Sequence, residues 1–74
     1  MRIKDPVNLE EIKLTTWEFE ILEHLSKGLN YNEIADNLII SPSTVRKHIE
    51  NIYKKLQVHN KMAAVQKAIK HNIL

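Results

Sequence analysis

The 74-residue sequence contains no cysteine. That excludes a disulfide framework and any thiolate metal site, and it fits a reducing cytoplasm. There is one glycine, Gly28, so no phosphate-cradling loop and no oxyanion nest of glycine-rich backbone is available. Aromatic residues make up 5% of the chain, too few and too scattered for a platform on which single-stranded bases stack. No apolar run approaches the roughly 18 residues of a membrane span, and no signal peptide is visible.

What the sequence has is an ordinary globular composition, 43% hydrophobic and 27% charged, in a length that suits one small domain of packed helices. The net charge is only +2, but it is unevenly placed. Met1 to Asn37 carry four Lys or Arg against eight acids, a balance of −4; from Leu38 onward there are seven cations against Glu50 alone, a balance of +6. Such a basic half is the footprint of a protein that docks on phosphates, although an acidic protein partner would be served by it too.

The pattern predicts an all-α fold of four helices, at about 16–27, 31–38, 42–57 and 61–70. Residues 1–13, with Pro6 and little periodicity beyond a possible helical turn over Asn8 to Ile12, read as a tail or linker; residues 14–74 form the domain. Thr15-x-x-Glu18 is a capping box for the first helix, which buries Ile21, Leu22 and Leu25 and stops at Gly28. Asn30-x-x-Glu33 repeats that logic for the second helix, with Ile34, Ala35 and Leu38 inward. Ile39 and Ile40 form a tight turn, one of them plugging the core. Ser41 then caps the third helix with Pro42 at its first position. Asn60 caps the fourth, and Asn72 is placed for a left-handed stop. Trp17 and Phe19 sit off the core stripe and are assigned to covering the tail or the domain edge.

The third helix is the most informative. At about 100° per residue, Val45, Ile49, Ile52 and Leu56 fall on one arc with Tyr53 at its edge. Ser43, Arg46, Lys47, Glu50, Asn51 and Lys54 fill the other. A short helix, a tight turn and a two-faced helix in succession make a helix-turn-helix, whose second helix enters the major groove of DNA while the first crosses the backbone.

These residues resemble a known family. L-T-x-x-E from Leu14, G-x-N-Y-N-E-I-A-x-x-L-x-I-S from Gly28, T-V-R-x-H-x-x-x-I-x-x-K-L-x-V from Thr44 and A-V-x-x-A from Ala64 look like the LuxR/GerE-type helix-turn-helix, also called the NarL/FixJ-type effector domain. The resemblance implies a bacterial transcription regulator binding double-stranded promoter DNA as a homodimer, with RNA polymerase as a further partner. It fits either a stand-alone protein or the output domain of a response regulator. On the third helix it implies that Arg46 contacts bases or phosphate, that Lys47, Glu50 and Asn51 vary with the target sequence, and that Thr44 and His48 touch the backbone. Tyr31 and Asn32 match the start of the crossing helix; Ser43, Val45 and Lys54 complete the DNA-binding set. Ala64, Val65, Ala68 and Ile69 correspond to a dimerisation surface, divided between core and partner. Trp17 and Lys61 stand where the family commonly has Arg, and Glu18 is expected to pair with Lys61 or Lys55.

Other chemistries fare worse. Ser41, Ser43, His48 and Glu50 offer the side-chain types of a triad, but Ser41 is committed to capping, so no enzyme is expected. The four histidines show no i, i+4 pair and no acidic ligand cluster, so no metal is expected either, and nothing points to a cofactor or a small-molecule ligand. The principal alternative is a helical module like region 4 of sigma factors, acting through polymerase contacts.

Overall fold

The helix with two opposed faces sets the architecture. In the computed structural model, which describes residues 13–74, four helices follow one another: α1 (Thr16–Ser26), α2 (Tyr31–Leu38), α3 (Pro42–Leu56) and α4 (Lys61–Lys70). No strand occurs among the described residues. The assignments made for residues 1–12, including the helical turn near Asn8, lie outside the described residues. The first and third helices each end one residue earlier than the spacing predicted, because Lys27 and Gln57 act as C-caps.

All four helix starts are capped by the side chains that the sequence offers. Thr15 and Asn30 form complete capping boxes with Glu18 and Glu33. The Ser41 hydroxyl accepts from the Thr44 amide, and the Asn60 side chain accepts from the Ala63 amide. Each such bond occupies one of the amides a helix start leaves without a partner.

The helix ends share a second device. Gly28, Ile39, Gln57 and Asn72 all sit in the left-handed region, with φ of 89°, 57°, 57° and 60°. In each case the next residue bonds back five positions: Leu29 to His24, Ile40 to Ala35, Val58 to Tyr53 and Ile73 to Ala68. All four of these following residues are apolar and pack against the core. The reversed backbone thus delivers a hydrophobic side chain to the interior, which is the hydrophobic contact of a Schellman closure.

The core is Ile21, Leu22 and Leu25 of α1, Ile34 and Ala35 of α2, Val45, Ile49, Ile52 and Leu56 of α3, and Ala64 and Ala68 of α4. Small Ala35, buried where α2 meets α3, lets the two helices of the unit approach closely. Leu38 is only half-buried rather than interior, since α2 is already closing there. In the turn, Ile40 packs on the core and Ile39 is left 89% exposed.

Ile39 is therefore a β-branched residue in a backbone region that costs an L-residue about 1–2 kcal/mol, with almost no burial in return. Asn tolerates that region far better. Replacing Ile39→Asn is expected to stabilise the domain by roughly 0.5–1 kcal/mol, read as a higher urea midpoint at unchanged slope, while Ile39→Val should give no gain.

Candidate nucleic-acid interface

Burial of Val45, Ile49, Ile52 and Leu56 against the other three helices fixes the rotation of α3 about its own axis. Its opposite side is left to solvent: Ser43, Arg46, Lys47, Glu50 and Lys54 are exposed, and Asn51 is half-buried. Glu50 is the one acid on this surface. Val45 was placed in the DNA-binding set, and the structure corrects that. Its side chain is wholly buried in the core stripe, so it holds the helix and reaches nothing outside.

The surface has a centre and two flanks. Stepping at about 100° per residue from Val45, Ser43, Lys47, Glu50 and Lys54 lie near the middle of the outward arc; Arg46 falls beside Tyr53 on one flank, and Thr44, His48 and Lys55 fall on the other.

The flank carrying His48 is tied to the start of α1. The Trp17 indole lies nearly parallel to the His48 imidazole, ring centroids 6.2 Å apart and planes 12° from each other. Trp17 was assigned to covering the tail or the domain edge; the tail lies outside the described residues, and the half-exposed ring lies along His48 of α3. Next to it, the Lys55 ammonium donates to the Glu18 carboxylate at 2.6 Å and to the carbonyl of Lys13 at 2.8 Å. Of the two partners considered for Glu18, the structure selects Lys55. The same Glu18 oxygen also accepts from the Thr15 amide at 2.9 Å. Burial pulls the Glu18 carboxyl upward, but hydrogen bonds from Lys55 and Thr15, with the charges of Lys55 and His48, hold it below its ordinary value of 4.5.

The Arg46 flank meets the start of α2. The guanidinium lies 6.0 Å from the centroid of the Tyr31 ring, a cation–π distance. Burial, together with the neighbouring Tyr31 hydroxyl to which it is hydrogen-bonded, raises the Tyr53 phenol above 10.0, so it stays protonated at neutral pH. Asn32 is exposed beside Tyr31. At the head of α3, the Ser41 hydroxyl lies 2.8 Å from that of Thr44 and 3.1 Å from that of Ser43, which sets a small group of hydroxyls on the surface.

The proposed dimerisation set divides sharply. Ala64 and Ala68 are wholly buried, which puts them on the core side of that division and takes them out of any partner surface. Val65 is half-buried, and Ile69 is 57% exposed. Met62, which the spacing did not single out, is exposed on the same helix. Among the described residues no group of three or more His, Asp or Glu side chains is placed to hold a metal ion. None of their helices is long and apolar enough to cross a membrane.

Comparison with known proteins gives this arrangement a context. Residues 13–68 match the GerE model, described as bacterial regulatory proteins of the luxR family. The chain is 38% identical over 64 residues to the transcriptional regulatory protein LnrK of Bacillus subtilis, covering 86% of this chain and 29% of that protein. It is 40% identical over 73 residues to the response regulator protein VraR of Staphylococcus saprophyticus, covering 99% of this chain and 34% of that one. Among solved structures, the response regulator ChrA of a heme-sensing two-component system superposes with a TM-score of 0.82 at 39% identity, over 84% of this chain and 31% of ChrA. The chain thus spans about a third of the length of these relatives.

Because Glu18 is 5% and Lys55 36% exposed, removing the charge strands an ammonium that can still reach water. Replacing Glu18→Gln is expected to cost about 1–2 kcal/mol at neutral pH. A carboxyl whose folded value is depressed contributes stability that is complete above its unfolded value and is lost as pH falls through the folded one. The gap between wild type and variant should therefore hold from pH 7 to about 4.5 and close below it, as followed by thermal melts across that range.

Proposed function

The chain belongs to the luxR family of bacterial regulatory proteins, and we propose that it is the sequence-specific, double-stranded DNA-binding part of a transcription regulator of the response-regulator type. The observation that carries this is the outward side of α3, a band of cations and amides held free of the core directly after a tight turn. In a helix-turn-helix the second helix lies in the major groove and its side chains reach base edges there.

Phosphate contacts supply most of the affinity and base contacts the choice of sequence. Lys47 and Glu50, near the middle of the outward arc, and Asn51 beside them read bases: Lys pairs with guanine acceptors, Asn with adenine, and a carboxylate accepts from the cytosine amino group. Tyr31, Asn32, Ser43, Thr44, Arg46, His48 and Lys54 complete the surface. Two copies bind one site, with one α3 in each half-site and half-sites a helical turn apart. The exposed Ile69 and half-buried Val65 of α4 are the apolar groups available to such a dimer. The protein acts in the cytoplasm, on promoter DNA, with RNA polymerase as the machinery it influences.

The test begins with a duplex selected from a random library on the immobilised chain, assayed without polymerase. Replacing Lys47→Ala is expected to cost about 1–3 kcal/mol on the selected duplex and much less on a scrambled one. Replacing Lys54→Ala should reduce the slope of log affinity against log salt by about 0.9 while sequence preference stays the same. Binding seen only with polymerase present would point to a sigma-like module instead.

A further inference from the structure

We infer that the open groove walled by the starts of α2 and α4 and by the Arg46 flank of α3 is a phosphodiester site, and that Arg46 is a backbone anchor rather than a reader of bases. The inference rests on the DNA-binding reading above and deepens it. It assigns to the same task Lys61, which stands where the family commonly has Arg, and His59, which the sequence did not mark for DNA contact.

The groove has a volume of about 760 Å³, and Tyr31, Arg46, Tyr53, His59, Asn60 and Lys61 are among the residues that line it. None of its lining residues is acidic. Two permanent cations therefore share a hollow with an imidazole and two phenols, and nothing in its wall neutralises them. A phosphate meets that donor set well: guanidinium offers a planar fork, ammonium a point charge, and Asn and Tyr neutral donors. The one lysine bound to a carboxylate among the described residues is Lys55, on the opposite flank, so no described carboxylate competes with a ligand for Lys61.

The direction of Arg46 follows from two observations. About 100° per residue puts it next to Tyr53, well round from Lys47 and Lys54 on the helix wheel. Its guanidinium lies over the Tyr31 ring, on the side of α3 where α2 begins. A side chain drawn to that flank points to the rim of a major groove occupied by α3, and the rim is sugar and phosphate. The floor, with the base edges, lies opposite the middle of the arc. Tyr31 restricts the motion of the guanidinium in the free protein, so less freedom is lost on contact.

The experiment measures affinity of the full chain for the selected and scrambled duplexes over a salt series, for wild type, Arg46→Ala, Lys61→Ala and the double variant, with melts confirming that each is folded. A phosphate site predicts that each single variant lowers the salt slope by about 0.9 and that its fold-loss is the same on both duplexes to within about twofold. A loss for Arg46→Ala confined to the selected duplex, or an unchanged slope for Lys61→Ala, overturns the inference while leaving DNA binding intact. A wild-type chain that binds no duplex at low salt overturns the function itself and the inference with it. A parallel titration with inorganic phosphate, followed by amide NMR shifts, separates the sources: perturbation of the groove at micromolar phosphate, with duplex affinity unaffected by either variant, would make it a free-anion site and sink the assignment to DNA.

Discussion

Everything distinctive about this domain depends on α3 being held from behind. Four of its side chains, Val45, Ile49, Ile52 and Leu56, are removed from water by the other three helices. Each such burial is worth about 1.5–3 kcal/mol, and together they leave a single rotational setting. A turn of α3 by one residue would move this stripe out of the core and drive Arg46 or Glu50 toward it, at the cost of burying charge. The outward band is thus presented by the packing behind it, and its direction needs no ligand to establish it.

The two flanks are secured by different chemistry. On one side a charge-assisted bond from Lys55 reaches the Glu18 carboxylate while the Trp17 ring lies along His48; α1 is joined to α3 by an ion pair and a stack. On the other, Tyr31 connects α2 to α3 through the Tyr53 hydroxyl and the Arg46 guanidinium. Glu18 is the only buried charged residue among those described. Its carboxylate accepts from the Thr15 amide and from Lys55, and its own backbone amide donates to the Thr15 hydroxyl, so one residue makes both a helix cap and a tertiary contact.

Much of this was legible in the residues because the signals were local. Capping boxes lie three residues apart, and the stripe of α3 has the period of its own helix, so neither needs knowledge of the rest of the chain. Gly28 and Asn72 were readable as stops for the same reason. Ile39 and Gln57 were not, since neither favours a left-handed backbone; what holds them there is the docking of Ile40 and Val58 on the core, a tertiary gain that propensity does not register. Motif position put Val45 among the DNA contacts although its helix wheel set it on the apolar arc, and put Ala64 and Ala68 in a set split between core and partner; small or β-branched side chains on an apolar stripe belong to the packing between helices. The Trp17 stack and the groove shared by Arg46 and Lys61 join residues about thirty and fifteen positions apart, across helices whose relative placement periodicity does not specify.

The stacked ring has one more consequence. Trp17 is the sole tryptophan of the chain, and its indole lies against an imidazole on the side of α3. Near-ultraviolet emission from this protein therefore comes mainly from a chromophore at the border of its working surface. Occupancy of that surface can be followed optically, in the unlabelled molecule.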